Sequence, residues 1–553
     1  MKARTLCSKG YFPENLPPVY STEKFGDFIH ENNMNNYIGL YNIDYGVTQY
    51  NASKRGHNRR IFGTPNPVPF YNISLFIEKN WNAIEDHFKK SNVSLSAPQE
   101  SNNRAITITP HRNLQRIKIT KLFSKKYLIT TDISRFYPTI YTHAIPWAIH
   151  GKASSKADRG WRSNTNKFNR LDYYCRMSQS GQTIGIPVGP DTSRIIAELI
   201  STSIDVSFYN KYPKASMLRH VDDAWISADN EEEAKRILNY YRESVREYEL
   251  DISEPKTRIE LTSTSFEDDW PARIKDKIEK IYGLGFNDAE IDEIIDLVSF
   301  VLQYSHKIND EAPIRYAIRN IDKNRKWGNA NQWKIFNQFL KTCVLSFSHS
   351  IDYVARVIAW KHRIGGLFDK SEWIKICNEV VKEHAPLNNE SECLWACWLI
   401  MELGGKLRKD RFISISKHCN SFPLIISWYL LKSGKVSGKI DTSEISERFL
   451  KDRFTGPNWL FLHEAVVRDW IKENHFDENS DHEFLKRLRD SKVSFFDENA
   501  APLVFTSNFD GESENQDPLY GIEDSIGGYD DDNNEDDGFS DTDFDDIDDE
   551  IGF

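Results

Sequence analysis

Two adjacent carboxylates, Asp222 and Asp223, stand between two short apolar runs in the stretch LRHVDDAWISAD. This pattern predicts two strands joined by a tight turn that carries the acidic pair. Like charges a few ångströms apart repel, and the repulsion is costly in a partly desolvated site unless a cation lies between them. The pair is therefore either solvated at a loop tip or part of a metal site.

A third carboxylate, Asp132, ends the β-branched and apolar stretch YLITTDI, which is typical of a central strand. A strand end and a hairpin turn can bring their carboxylates together at one sheet edge. Magnesium ions prefer carboxylate oxygens together with substrate phosphates. Two such ions would activate a primer 3′-hydroxyl and stabilise the leaving pyrophosphate in nucleotidyl transfer.

The chain is too long for a single core, because 553 residues correspond to about three or four domains. Strand and helix patterns alternate from Lys125 to Thr262, which predicts an α+β domain, whereas residues from about 270 to 475 are almost wholly helical in pattern. From Glu523 to Glu550 there are fifteen Asp or Glu and no Lys or Arg. The net charge of −11 therefore belongs to an acidic tail, and the remaining chain is mildly basic, at about +4, as suits a polyanionic partner.

The seven cysteines are scattered and odd in number, which argues against a disulfide framework. No apolar run is long enough to span a membrane and the N-terminus has no signal-peptide core, so we expect a cytoplasmic protein that does not bind membranes.

Four stretches, in order and spacing, resemble palm motifs A to D of reverse transcriptases: TTDISRFYPTIY, GQTIGIPVGPDTSR, RHVDDAWI and LDISEPKTRIEL. Upstream, RRIFGTPNPVPF resembles the fingers motif of the same enzymes. The resemblance covers roughly residues 50 to 265. It implies right-hand polymerase fingers and palm, with an N-terminal segment and fingers at 1–120 and a palm at 121–265. An all-α C-terminal domain, thumb-like and α-repeat, would follow at 266–505, with a disordered acidic tail at 506–553.

More narrowly, FYPTIYTHAIPWAIHGK and GIPVGPDTSRIIAEL resemble the prokaryotic abortive-infection and unknown-group reverse transcriptases, which act in antiphage defence. A helical C-terminal extension commonly follows the polymerase core in those proteins. The resemblance implies a bacterial cytoplasmic enzyme with dNTPs as substrates, an RNA template or noncoding RNA and a DNA product. A phage-encoded trigger and homo-oligomers are also compatible with it.

The resemblance implies roles for individual residues of these motifs. The resemblance makes Asp132 and Asp222 the principal ligands of two Mg²⁺ ions, which Mn²⁺ can replace, with Asp223 completing the acidic cluster. Among the other matching residues, Ile133 would bind metal through its carbonyl, while Phe136, Tyr137, Gly185, Pro187 and Gly189 would contact substrate or template. Tyr137 matches the steric gate whose ring clashes with a ribose 2′-hydroxyl. Its alternative is a core aromatic beside Phe136.

Two cationic roles are less sharply defined. Lys256 matches the motif D lysine that protonates pyrophosphate, and its alternative is a solvated loop lysine. Arg60 matches the fingers arginine that grips the triphosphate, although the adjacent Arg59 is an equal candidate by spacing. Arginine suits such a site because its guanidinium binds phosphate in a bidentate manner.

Two departures from the pattern concern template and primer. His220 replaces the aromatic residue that usually lies two positions before the Asp-Asp pair and packs near the primer terminus. Val188 replaces the usual glutamine of motif B, near the templating base. These changes are compatible with unusual template use, including synthesis without a template or from a protein primer.

The sequence therefore predicts a Mg²⁺-dependent, RNA-associated DNA polymerase of the defence class. A non-catalytic RNA-binding or toxin-like effector that retains the fold is the rival interpretation. A retron or group II intron polymerase is a second rival, but that class has the Tyr-Ala-Asp-Asp form and a maturase or endonuclease region, which this sequence lacks.

Overall fold

The computed structural model of the protein describes residues 1–40, 43–56, 58–110, 113–265, 269–283, 291–323, 327, 330–442, 449, 452–472 and 482–500. The acidic tail predicted at 506–553 lies outside these residues. Across the described part of the chain, no helix combines the length and the apolar character that crossing a membrane requires. All seven cysteines are buried and none forms a disulfide, as their scattered positions predict.

The first half of the chain mixes short strands with helices. Its strands are β1 Val47–Lys54, β2 Asn58–Pro65, β3 Gln99–Glu100, β4 Ile106–Thr107, β5 Tyr127–Asp132, β6 Ser216–His220, β7 Asp223–Ala228 and β8 Arg258–Leu261. Its helices are α1 Ala3–Lys9, α2 Glu23–Glu31, α3 Pro67–Lys79, α4 Trp81–Phe88, α5 Leu114–Leu122, α6 Phe136–Thr139, α7 Ala144–His150, α8 Lys152–Ala157, α9 Asn169–Met177, α10 Asp191–Lys211 and α11 Glu231–Arg246.

The second half of the described chain is helical. Its helices are α12 Trp270–Gly283, α13 Ile291–Ile308, α14 Ala312–Lys323, α15 Ala330–Ser346, α16 Ile351–Arg363, α17 Lys370–His384, α18 Glu390–Glu402, α19 Lys409–His418, α20 Ser421–Lys432, α21 Trp459–Val467 and α22 Glu483–Asp490. The predicted fold class is thus confirmed: an α+β region is followed by an all-helical one. The stretch ISLFIEKNWNAIEDHF, which has a helical pattern throughout, is divided at Asn80 into α3 and α4.

A four-stranded antiparallel sheet with the order β6-β7-β5-β8 forms the palm. The predicted central strand is β5, which pairs with both β7 and β8. Because successive side chains of a strand point to opposite faces, the sheet has two distinct surfaces. One surface carries Ile129, Ile226 and Met217, which join the main core beneath α11, and Arg219 on the same surface pairs with α10. The other surface carries Asp132 and Asp223, which are directly paired in the register.

The strands β1 and β2 pair along their whole length and are called the fingers hairpin below. Its second strand leads directly into α3, whose first turn is set by two local signals. The Asn66 side chain accepts a hydrogen bond from the Val68 N–H, and Pro67 occupies the first helical position. Proline suits that position because its fixed φ is helical and its missing N–H would have had no helical acceptor.

The fingers hairpin packs against the C-terminal helices, mainly α18 and α20. Backbone groups also cross between the two regions: the Gly46 N–H donates to the Thr455 carbonyl at 2.7 Å and the Thr48 hydroxyl to the Pro457 carbonyl at 2.6 Å. A side chain at position 46 would collide with this segment, since a Cβ there would lie 2.4 Å from the Pro457 nitrogen. Fingers and C-terminal region therefore share one tightly packed interface.

Candidate active site

The Asp-Asp pair lies in a hairpin whose turn consists of Val221 and Asp222. Val221 has a φ of +56°, which is rare for a β-branched residue and costs roughly 1–3 kcal/mol of backbone strain. Two hydrogen bonds hold the turn in place. The Val221 N–H donates to Ser96 Oγ at 2.5 Å, and the Ile133 N–H donates to the Asp222 carbonyl at 3.1 Å. The second bond ties the turn to the strand end that carries Asp132.

Arg219 supports this turn from below the sheet. Its fully buried guanidinium pairs with Glu198 and Asp205 of α10, each at 2.8 Å, and also donates to the Val221 carbonyl at 3.1 Å. Burial alone would lower the pKa of Arg219, but the two carboxylates outweigh it and raise that pKa. Buried ion pairs of this kind are strongly destabilised when one partner is removed. The strained turn is thus fixed to the longest palm helix.

The three carboxylates meet at one end of the sheet. Burial raises the pKa of Asp222, and the negative charge of Asp132 raises it further. For Asp223, burial again comes first, followed by repulsion from Asp222 and from Asp132. The ammonium group of Lys256 forms an ion pair with Asp132 Oδ2, whereas Asp132 Oδ1 is buried and has no hydrogen-bond partner among the described residues. Nearby cations lower the pKa of Asp222 and Asp223, but burial and mutual repulsion outweigh them.

The carboxylate cluster has the chemical character of a site for divalent cations. Within the described ranges, no group of three or more His, Cys, Asp or Glu side chains has the arrangement of a preformed metal site. The donor set nevertheless suits a hard cation, because it consists of mutually repelling carboxylates with one unsatisfied buried oxygen. In this structure Lys256 is the cation that contacts Asp132. A divalent ion would relieve the same repulsion.

One cavity of about 980 Å³ brings the sequence-predicted residues together. It lies between the fingers hairpin and the palm. The predicted residues that line it are Arg60, Asp132, Ile133, Phe136, Tyr137, Gly185, Pro187, Gly189, Asp222, Asp223 and Lys256. A cavity of this size can hold a nucleotide together with part of a nucleic-acid strand.

The glycine-containing loop of motif B forms one wall of this cavity. Gly185 has a φ of +86°, and a Cβ at this position would lie 3.0 Å from the Pro138 carbonyl oxygen. The loop is held against α6, since the Ile186 N–H donates to the Tyr137 carbonyl at 3.0 Å. Glycine is required here because other residues rarely adopt this φ and would also crowd Pro138. Val188, at the position of the usual glutamine, is half-buried in the same wall.

The two aromatic neighbours of motif A lie differently. Phe136 is 2% exposed and packs in the core at the border of the cavity. Tyr137 is half-buried, and burial is the main cause of its raised pKa, which keeps the phenol protonated. Tyr137 is therefore the aromatic ring that presents a surface to the cavity.

The register of the fingers hairpin distinguishes the two candidate arginines. Arg59 pairs with the buried Glu392 of α18 at 2.5 Å and donates to Asn51 Oδ1 at 3.0 Å. Arg60 is paired with Ala52 across the hairpin and points to the opposite face, where its charge acts on Asp222. The structure thus gives Arg59 a partner in the C-terminal region and leaves Arg60 facing the carboxylates.

Sequence reasoning missed Lys54, which shares the cavity-facing side of the hairpin with Arg60. Burial lowers the pKa of Lys54, and the nearby charges of Arg60 and Lys256 lower it further. The pairing of the two strands could have identified Lys54. Arg60 is paired with Ala52, and Lys54 lies two residues further along β1, so its side chain points to the same face.

Arg104 was also missed by the sequence analysis. It pairs with Asp191 at 2.7 Å and donates to the Gly189 carbonyl at 2.8 Å, and these contacts anchor the motif B loop.

His220 borders the cavity but is almost wholly buried. It is 3% exposed, and its Nε2 donates to the Thr109 carbonyl at 3.1 Å. Its side chain therefore connects the hairpin to the segment that follows β4. Ile108 of that segment lines the cavity, so this segment forms the wall beside the hairpin.

Comparison with known proteins gives a family for this part of the chain. The model for the family described as reverse transcriptase (RNA-dependent DNA polymerase) matches residues 81–287. No curated protein sequence matches the chain.

Solved structures that resemble the chain include three telomerases. A C-terminally truncated apo telomerase from Candida tropicalis has 13% identity and a TM-score of 0.27, over 44% of this chain and 55% of that one. The apo telomerase of the same species has 11% identity and a TM-score of 0.31, over 72% and 71%. The telomerase of Candida albicans, in complex with a fragment of telomeric RNA, has 9% identity and a TM-score of 0.28, over 78% and 70%.

The chain spans about half the length of the first of these structures. TM-scores this low do not indicate a substrate or a partner for this chain. The range that matches the family model contains Asp132, Asp222, Asp223 and Lys256. Residues 81–287 of this chain therefore form a reverse transcriptase domain, which is a nucleotidyltransferase domain of the RNA-directed DNA polymerase type.

Proposed function

We propose that the protein is a Mg²⁺-dependent DNA polymerase that adds deoxynucleotides to a primer 3′-hydroxyl. The observation that carries this proposal is the meeting of Asp132, Asp222 and Asp223 with Arg60 and Tyr137 on one cavity. Reverse transcriptases in general use divalent metal ions, RNA templates and nucleotide substrates. Bound Mg²⁺ would supply activation of the 3′-hydroxyl and charge neutralisation at the phosphates.

The chain's own residues have separate tasks in this proposal. The three carboxylates would hold the ions, while Arg60 and Lys54 would approach the triphosphate from the fingers hairpin. The ring of Tyr137 occupies the space of a ribose 2′-hydroxyl and so favours deoxynucleotides. Lys256 would donate a proton to the departing pyrophosphate; burial lowers its pKa, but the hydrogen bond and charge of Asp132 raise that pKa overall, so the ammonium group is protonated beside the carboxylates.

The proposal extends to antiphage defence in a bacterial cytoplasm. Its support is the resemblance of FYPTIYTHAIPWAIHGK and GIPVGPDTSRIIAEL to the defence-associated class. A noncoding RNA serves as template in this proposal, or synthesis proceeds without template from a nucleic-acid or protein primer. Val188 and the buried His220 support unusual template and primer use, since the residues that ordinarily fill both positions are absent.

Incorporation of labelled dNTPs by the purified full-length protein with its co-purified nucleic acid tests the catalytic part. We expect Mg²⁺-dependent incorporation that is lost in Asp222→Asn, and sequencing of the product identifies template or its absence. If the wild type incorporates nothing with either metal, the polymerase proposal fails and the non-catalytic effector is favoured. Faithful copying of any added RNA would contradict the part concerning unusual template use.

A further inference from the structure

Aromatic rings and guanidinium groups form a column on α9 and on the loop that precedes it. The rings of Trp161 and Tyr173 are stacked, with their centroids 4.6 Å apart and an angle of 16° between their planes. The Arg162 guanidinium lies 4.5 Å from the Trp161 centroid, and the Arg176 guanidinium lies 5.9 Å from the Tyr173 centroid. Both rings are half-buried, whereas Arg162 is exposed. The column therefore has an exposed outer end, where Arg162 lies over Trp161.

The loop that carries Trp161 is held in a defined position. Asn169, in the first turn of α9, donates from its side-chain amide to the Asp158 carbonyl at 2.8 Å, and Asn166 donates to the same carbonyl at 3.2 Å. Both asparagines are buried. Because these bonds fix the loop in the free protein, a ligand that binds to it does not have to order it first, which reduces the cost of binding.

The end of α9 leads directly to the rim of the active-site cavity. Gln179 lines the cavity, and its side chain donates to the carbonyl of Gly185 in the motif B loop at 2.7 Å. The Arg176 carbonyl accepts hydrogen bonds from the N–H groups of Gln179 at 3.1 Å and Gly181 at 2.8 Å. Tyr173 lies six residues before Gln179, or about 9 Å at a helical rise of about 1.5 Å per residue. The column is therefore a near neighbour of the cavity.

The region of the column is strongly basic. From Lys152 to Arg176 the sequence has seven Lys or Arg, two Asp and no Glu. Arg159 and Lys167, on the same loop as Trp161, are exposed, and in the described part of the chain no carboxylate pairs with either of them. Stacked rings beside available cations suit single-stranded nucleic acid, because its bases can leave their own stack and its phosphates are negatively charged.

We propose that this surface binds the single-stranded part of the template outside the cavity. A base stacks on the outer end of the column, at Arg162 and Trp161, and phosphates contact Arg159 and Lys167. The inference rests on the proposed polymerase function for the identity of that strand as a template. RNA and DNA share the bases and phosphates that such a surface recognises, and the two are distinguished by experiment.

The test measures binding of labelled single-stranded RNA and DNA oligonucleotides to the full-length protein as a function of salt concentration. Trp161→Ala should weaken binding about fivefold to 150-fold with an unchanged slope of log K against log salt, because a base loses its stacking partner. The double variant Arg159→Gln, Lys167→Gln should instead reduce that slope by about 1.4, which corresponds to two phosphate contacts on a single strand. A column that only fastens the loop to α9 would not separate the two effects.

Arg162→Gln leaves both rings in place and has a matched control in Arg273→Gln. Both guanidinium groups lie 4.5 Å from an aromatic ring centroid, but Arg273 also pairs with Asp269 at 3.9 Å. Arg162→Gln should weaken single-strand binding about twofold to fivefold, the range of an exposed cation–π contact, and Arg273→Gln should leave it unchanged. The melting temperature of each variant reports whether its fold is intact.

Wild-type affinity for single strands in Arg162→Gln overturns the proposal, whatever the result for Trp161→Ala. An equal loss in Arg273→Gln, or on a blunt primer–template duplex, also overturns it, because the effect would then reflect total charge or duplex binding. Asp222→Asn distinguishes this inference from the proposed function, since it should abolish incorporation and retain single-strand binding. If the wild type polymerises nothing but Arg162→Gln still loses affinity, the polymerase function fails and single-strand binding at α9 stands. The RNA and DNA arms identify the strand that the surface prefers.

Discussion

At the scale of single residues, the active site is arranged around repulsion that the protein alone does not relieve. Burial and the neighbouring charges raise the pKa of Asp222 and of Asp223, and Lys256 approaches only Asp132 closely. Val221 adds backbone strain at the same turn. Functional sites commonly accept such local costs because the bound substrate and ions repay them.

This arrangement predicts that Asp223→Asn is more stable than the wild type when metal is chelated. A carboxyl whose pKa is raised in the folded state binds more protons there, so it destabilises the fold once the pH exceeds its unfolded pKa of about 3.9. We expect a gain of about 1 kcal/mol or more at neutral pH, since one unit of pKa shift corresponds to about 1.4 kcal/mol. Thermal unfolding in EDTA across a pH series measures it.

The gain in Asp223→Asn should shrink as the pH falls towards 4, because the wild-type carboxyl then becomes protonated. Incorporation should be lost at every pH. A variant that is less stable than the wild type at pH 7, or a gap that widens on acidification, would show that the carboxylate is not repelled in the folded state.

The second prediction at this scale concerns the sugar. Tyr137→Ala should increase ribonucleotide incorporation relative to deoxynucleotide incorporation by about tenfold or more, which corresponds to about 1.4 kcal/mol of lost discrimination. The physical reason is removal of the ring from the space of the 2′-hydroxyl. Tyr137→Phe is the control, since it keeps the ring. Single-nucleotide incorporation with dNTP and rNTP gives the ratio, and equal ratios in Tyr137→Ala and the wild type would assign the ring to core packing only.

At the scale of elements, the fingers hairpin is held by α18. Asn51 donates its backbone N–H to Glu390 at 2.7 Å, and Arg59 pairs with Glu392. Burial raises the pKa of Glu390 to about 7. Asn51 and Arg59 on one face of the hairpin are thus held by α18, while the charges of Lys54 and Arg60 on the other face act on the carboxylates. The position of Lys54 and Arg60 therefore depends on a helix more than 300 residues away in the chain.

We expect Glu392→Gln to raise the KM for dNTP more than it lowers kcat. The substitution leaves the Arg59 guanidinium without its counter-charge, which should also lower the free energy of unfolding by about 3 kcal/mol. Glu402→Gln, at the other end of α18, is the matched control because its partner Arg363 lies away from the fingers hairpin. Steady-state kinetics and thermal unfolding separate the two effects. A KM that stays constant in Glu392→Gln, or rises equally in Glu402→Gln, contradicts the coupling.

The sequence predicted those parts of the molecule that local pattern encodes. The strand β5, the helices α10 and α11 and the helical second half follow from periodicity, and the cavity residues follow from motif spacing. Lys54, Arg104 and the anchors of Arg219 were not predictable in this way, because their roles arise from contacts between distant segments. The distinction between Arg59 and Arg60 likewise needed the register of a hairpin and the position of Glu392.

At the scale of the whole molecule, both chain regions contribute to one core. The Tyr20 hydroxyl donates to the Phe422 carbonyl at 2.6 Å, the Trp395 indole to the Asn15 carbonyl at 3.2 Å, and the Trp459 indole to the Thr64 carbonyl at 3.3 Å. These bonds lie among aromatic rings from both ends of the described chain, which contact one another face to face or edge to face. The N-terminal segment, fingers and C-terminal helices are therefore not independent folding units.

Calorimetry should accordingly show that the N-terminal half and the helical region unfold in a single main transition. The same transition should be seen by tryptophan fluorescence, whose probes lie mainly in the helical region, and by loss of polymerase activity. A truncated chain of residues 1–265 should be insoluble or aggregate, since it would expose the apolar surface that α18, α20 and α21 cover. Two well-separated transitions, with activity surviving the first, would contradict this prediction.

The tight contact at Gly46 has a consequence for how such proteins diversify and how they can be engineered. Gly46 and the Thr455–Pro457 segment fit together with no room for a side chain. The C-terminal helical region therefore cannot be exchanged between related polymerases without also changing the fingers surface that it contacts. A graft would have to bring its own matching fingers surface. New C-terminal regions should therefore be inherited together with the fingers.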